Sequence, residues 1–130
     1  MRNTTTAITP WLEVRRGKSA IAFYKAAFGA VEVHHVESPD GEIVSRMSID
    51  GAEFWLSDES PEHGNISPEG LKGCTVRIIL TVADPDAVFH RALAAGASQV
   101  YPVSEEHGWR VGRVVDPFGH HWEIGRQIAH

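Results

Sequence analysis

The stretch Ser19-Ala20-Ile21-Ala22-Phe23-Tyr24-Lys25-Ala26-Ala27-Phe28-Gly29-Ala30 returns in loose form as Asp86-Ala87-Val88-Phe89-His90-Arg91-Ala92-Leu93-Ala94-Ala95-Gly96-Ala97, so that Gly29 and Gly96 stand 67 positions apart. Gly51-Ala52-Glu53-Phe54-Trp55-Leu56 lines up in the same way with Gly119-His120-His121-Trp122-Glu123-Ile124, at a step of 68. A repeat of half a chain is too long for a solenoid unit. It fits two copies of one supersecondary module, and two copies facing each other enclose a cleft.

Working outward from the first copy, Ile21, Phe23, Tyr24, Ala27 and Phe28 recur at helical spacing. Ser19 is placed to cap the helix and Gly29 to end it. Ile8 to Val14 alternates as a strand, with Pro10 suited to an edge or a strand end. Val31 to Glu37, Glu42 to Ile49 and Ala52 to Ser57 read as three further strands, separated by Ser38-Pro39-Asp40-Gly41 and by the tight Asp50-Gly51 turn. The first module is therefore βαβββ over about residues 7–58. A polar, Pro- and Gly-rich linker at about 59–73 follows.

The second module, about 74–127, repeats the order. Thr75 to Val82 is a strand, and Asp84 is the N-cap of a helix that admits Pro85 in its first turn. Strands are expected near Ser98 to Val103, Arg110 to Val115 and His120 to Ile124, with Asp116-Pro117-Phe118-Gly119 as a turn. The fold class is α+β.

Length and charge narrow the function classes. At 130 residues the chain fits one domain. Lys and Arg total 12 against 17 Asp and Glu, a net charge of −5, which argues against a nucleic-acid partner. Met1 to Ala7 is polar and no apolar run approaches membrane-spanning length, so no membrane partner and a cytoplasmic location are expected. Cys74 is the only cysteine, which rules out an intrachain disulfide; its flanks suggest a buried, inert thiol.

The paired modules, the Ala20–Ala30 helix and the closing Gly112-Arg113-Val114-Val115-Asp116-Pro117-Phe118-Gly119-His120-His121-Trp122-Glu123-Ile124-Gly125 segment resemble the vicinal oxygen chelate superfamily of glyoxalase I, bleomycin-resistance proteins and extradiol dioxygenases, and within it the PhnB-like branch. The resemblance covers about residues 7–127. It implies a cupped, mostly antiparallel eight-stranded sheet with helices outside. It also implies a divalent metal held at the cup floor by residues of the first and last strand of each module. Laid onto that pattern, Thr9, Trp55, Arg77 and Glu123 occupy the ligand places. Arg has no lone pair to offer and Trp cannot coordinate. The usual metal is therefore not expected, and no other cofactor is implied. Of the four, only Glu123 is a normal metal ligand.

The remaining candidates follow from strand alternation. Thr9, Trp11, Trp55 and Arg77 are expected on the cup side as substrate-binding residues, and Trp109 in a polar loop that could act as a lid. Arg77 and Glu123 are placed to pair across the cup floor. The pair either holds the modules together or leaves Arg77 to anchor an anionic group and Glu123 to act as base or acceptor. His121 shares Glu123's face, as proton shuttle, supporting partner or rim residue. Trp122 is expected in the core. Three functions fit: metal-free binding of a small organic molecule; a metal-dependent lyase, isomerase or dioxygenase; and a drug-sequestering protein. Whether the chain turns over its ligand is open. The resemblance also implies a homodimer.

Overall fold

The structure, a computed structural model, describes residues 4–128; the first three residues of the polar opening lie outside them. Chain order is β1 (Trp11–Val14), α1 (Gly17–Phe28), β2 (Val31–Glu37), β3 (Ile43–Ile49) and β4 (Ala52–Asp58), then α2 (Pro68–Leu71), then β5 (Arg77–Thr81), α3 (Pro85–Ala95), β6 (Ser98–Glu106), β7 (Trp109–Val115) and β8 (His121–Gln127). The expected βαβββ order thus appears twice. The eight strands form two sheets of four, ordered β1-β4-β3-β2 and β5-β8-β7-β6. In each, the first strand pairs parallel to the last, and the other pairings are antiparallel.

Several boundaries move for local reasons. Pro10 has no N–H to give, so β1 begins at Trp11, although the Pro10 carbonyl already accepts from the Trp55 N–H at 2.8 Å. Helix α1 begins at Gly17, ahead of the expected Ser19 cap. The Asp58 carboxylate, from the end of β4, accepts from the Gly17 N–H at 2.7 Å and from the Ile43 N–H at 2.8 Å. A carboxylate at a helix start satisfies an orphan donor and suits the dipole, so a distant residue does the work expected of Ser19. Gly17 is needed there, because a Cβ would stand 2.5 Å from Ile43 Cγ1. Asp84 caps α3 as expected, and Gly29 ends α1 in the left-handed conformation. The linker carries a 3-10 turn at Pro61–His63 and the short α2.

One core serves both modules. Helices α1 and α3 lie against each other, and α3 is tied to α1 by Arg91 Nε donating to the Ala26 carbonyl at 2.7 Å. The α1 ring of Tyr24 meets Phe54 of β4 at 5.3 Å and Trp122 of β8 at 5.5 Å, and Phe28 meets Trp122 at 4.8 Å. Trp122 is buried, as its alternation requires. Large aromatic rings from both halves thus share one apolar interior.

At its centre is Asp116, expected only as a turn residue. Its carboxylate accepts from the Tyr24 hydroxyl, from Trp122 Nε1 at 2.9 Å, and from the Phe118 and His120 N–H groups at 2.9 and 3.0 Å. A buried carboxylate persists only when donors surround it, and this one has four. Burial and the adjoining Asp116 charge hold the Tyr24 phenol well above its ordinary pKa. The arrangement fixes the β7–β8 turn on α1, and so fixes one module on the other.

Candidate ligand-binding site

The faces turned away from the shared core carry the candidates. On the first sheet, Trp11 and Trp55 are register partners on adjacent parallel strands. Their rings stack at 5.2 Å with 8° between planes. Trp11 Nε1 donates to Ser57 Oγ at 2.9 Å, and Ser57 Oγ donates to Glu13 Oε1 at 3.2 Å. This chain fixes the indole and the carboxylate relative to each other. Burial pushes the Glu13 pKa up, partly offset by the Ser57 hydrogen bond and the nearby His120. Arg46 lies over Trp55 at 5.4 Å, and His34 meets its edge at 6.0 Å.

On the second sheet, Glu123 Oε2 accepts from Arg113 Nη2 at 2.7 Å and Nε at 3.1 Å, with Arg77 Nε at 3.4 Å on the same oxygen. Arg113 lies over Tyr101 at 5.4 Å. The Arg77–Glu123 pair exists, but both residues belong to the second sheet. It therefore cannot hold the modules together as one reading of the sequence had it. That role falls to Asp116 and to His120, whose Nε2 bonds the Glu13 carbonyl at 2.9 Å.

A cavity of about 910 Å³ runs between β1 and β5 and takes its walls from both modules and the linker. Trp11 and Glu13 stand on one side, Arg77 and Ile79 on the other, and Ile66 and Leu71 of the linker contribute apolar surface. A smaller cavity of about 390 Å³ lies beside Glu123 and is lined by Trp109, His107 and Val111.

The sequence candidates divide accordingly. Trp11 and Trp55 come together, Arg77 and Glu123 come together, and Trp11 and Arg77 share the large cavity. Trp109 is not on a lid loop. It opens β7, beyond a two-residue His107-Gly108 turn with both φ angles positive, the geometry of a tight hairpin. Thr9 precedes β1, is exposed, and does not line the large cavity. His121 lies on β8 with its buried Nδ1 lacking a partner, and no hydrogen bond joins its ring to Glu123. Cys74 is exposed rather than buried, because β5 begins three residues later; its Sγ lies 3.3 Å from the Val76 carbonyl, and it lines the large cavity.

The sequence reading passed over Arg46, Arg113, Glu13 and Ser57. Arg46 and Arg113 are 67 positions apart, the step that relates Gly29 to Gly96, so the repeat itself marks them. Glu13 and Ser57 are marked by standing two residues beyond Trp11 and Trp55.

The donor set at the four metal places does not fit a divalent ion. Glu123 is occupied by two guanidinium groups that would repel a cation. Trp55 and Arg77 offer no lone pair, and Thr9 stands apart. Among the described residues no group of three or more His, Cys, Asp or Glu side chains is placed to hold a metal.

The fold and these faces define a member of a known class. The family model described as "Glyoxalase-like domain" matches residues 11–125, and the chain belongs to that family. It is 42% identical over 131 residues to the uncharacterised protein Rv0887c of Mycobacterium tuberculosis, covering 97% of this chain and 77% of that one. The gene product At5g48480 of Arabidopsis thaliana, whose crystal structure is known, superposes with a TM-score of 0.72 at 32% identity, over 92% of this chain and 98% of that one. The fosfomycin resistance protein FosX of Listeria monocytogenes shares the fold, with a TM-score of 0.74 at 14% identity over 96% and 95% of the two chains. No described helix is long and apolar enough to cross a membrane.

Proposed function

We propose that the chain works as one glyoxalase-like domain that binds a small organic molecule between its modules, without the divalent ion common in the superfamily. The observation that carries this reading is the cavity of about 910 Å³ with Trp11 on one wall and Arg77 on the other. That volume lies within the range of small-molecule sites, about 300–1,000 Å³. The occupied Glu123 carboxylate supports the metal-free half of the reading. The closing Asp116-Pro117-Phe118-Gly119-His120 segment supports a place in the PhnB-like branch. We further propose a cytoplasmic homodimer. Val31, Val33 and Val36 of the edge strand β2 and Tyr101 of the edge strand β6 are exposed, a surface that a second copy would cover.

The test is metal content of tag-free protein before and after incubation with Zn²⁺, Ni²⁺, Mn²⁺ and Fe²⁺, with Glu123→Ala as control. No retained metal is expected. Near one ion per chain, lost in Glu123→Ala, would overturn the metal-free reading in favour of a metal-dependent lyase, isomerase or dioxygenase. Light scattering tests the dimer, which a monomeric mass refutes.

A further inference from the structure

The large cavity offers two charged groups of opposite sign, neither fully partnered and not paired with each other. Glu13 receives one hydrogen bond from the Ser57 hydroxyl; His120 lies near enough to act on its charge, but no salt bridge to Glu13 forms among the described residues. Arg77 Nε lies 3.4 Å from Glu123 Oε2, an oxygen that Arg113 already occupies more closely. Its side chain remains 57% exposed. The wall between them is apolar and aromatic, including Trp11, Ile66, Leu71, Val76 and Ile79, all exposed. Apolar side chains left in water around two underused charges form a surface complementary to a molecule with an apolar body and a charge at each end.

We propose that this cavity selects amphoteric ligands, with a protonated amine at Glu13 and a carboxylate at Arg77. The apolar or aromatic body lies along Trp11 and the linker side chains. The inference rests on the cavity reading above and specifies its ligand class. Glu13 is suited to the amine because a carboxylate accepts charge-assisted hydrogen bonds from an ammonium group, and the Ser57 hydroxyl, itself held by Trp11 Nε1, fixes its position. Arg77 is suited to the carboxylate because a guanidinium binds it through two parallel N–H groups, and among the described residues no carboxylate other than Glu123 forms an ion pair with it.

The experiment is calorimetric titration with phenylalanyl-leucine, its N-acetyl derivative, its C-terminal amide, and a neutral naphthyl alcohol. The free dipeptide is expected to bind about tenfold or more tightly than either blocked form, the difference that one charge-assisted contact supplies. In Glu13→Gln, which can still accept from Ser57, the advantage over the acetylated form should vanish while that over the amide persists. Arg77→Gln should show the reverse. Equal binding of all three peptides, or of the alcohol alone, overturns the amphoteric selection while leaving a binding cavity. Failure of every probe, in protein whose melting is unchanged, removes the cavity reading as well.

Discussion

Asp116→Ala is the perturbation that most directly tests how the two modules are held in place. It leaves four donors without their acceptor: the Tyr24 hydroxyl, Trp122 Nε1, and the Phe118 and His120 N–H groups. Each buried donor left unsatisfied costs about 1–3 kcal/mol. With some relaxation of the turn, a total of about 4–6 kcal/mol is expected, a large share of the roughly 5–15 kcal/mol that holds a domain folded. Tyr24→Phe removes one donor and leaves the carboxylate three, so it should cost about 1–2 kcal/mol. When Tyr24→Phe is added to Asp116→Ala, it should cost almost nothing more, because the hydroxyl has already lost its partner. The two variants are therefore strongly non-additive. Asp116→Asn separates charge from shape. Its amide oxygen can still accept from the two backbone groups, but its NH₂ faces the Trp122 N–H, donor against donor. Urea unfolding followed by tryptophan fluorescence reads all four variants, the double included, with an unchanged slope required before midpoints are converted to energies. An Asp116→Ala protein within about 1 kcal/mol of wild type, or additive behaviour with Tyr24→Phe, refutes the role given to this carboxylate.

Burial raises the Glu13 pKa, so the folded state binds that proton more tightly than the unfolded state does. Its favourable contribution is full below the ordinary carboxyl range and is lost as pH rises through the raised value. Glu13→Gln should therefore gain on wild type as pH rises above the ordinary carboxyl range, and parallel stability profiles would refute this. Arg113→Met should cost about 2–3 kcal/mol, because it removes two charge-assisted bonds from a mostly buried Glu123; Arg77→Met, at a half-exposed ion pair, should cost below about 1 kcal/mol. Equal costs in thermal unfolding would show that the two arginines share Glu123 evenly. Cys74 should react fully with an aromatic disulfide reagent in native protein, since its thiol is exposed; a requirement for denaturant would place it in the interior after all.

The fold was legible because two periodicities and one repeat point to the same answer. Leu12 and Val14, Phe54 and Leu56, and Trp122 and Ile124 alternate as half-buried strands do, and each pair is buried. Gly29 and Gly96 mark the ends of two helices that serve the same place in each module. The misread starts have a common cause. Asp58 caps α1 from 41 residues away, and no local pattern around Gly17 announces a carboxylate that arrives from β4. Cys74 looked buried because the strand was begun too early; β5 begins only at Arg77. For Asp116, turn chemistry gave a sufficient local reason for the residue and concealed its larger role in joining the modules.

The site was half legible for a related reason. Alternation says which side of a sheet a residue occupies, so it places Trp11, Trp55, Arg77 and Glu123 on the faces turned away from the shared core. It does not say which neighbours on that side touch. That depends on register, and the register sets Trp55 beside Arg46 and Glu123 beside Arg113. The two halves thus carry one geometry with different chemistry at its centre. In the first, an indole lies under a guanidinium and against a second indole. In the second, a carboxylate is clasped by one guanidinium and touched by another. An ion pair of this kind adds little net stability against an apolar filling, since desolvation offsets much of the attraction. Arg113 nonetheless holds the Glu123 carboxylate and turns it toward β7. Arg77, on the opposite strand and more exposed, is thereby left as the cation that faces the cavity.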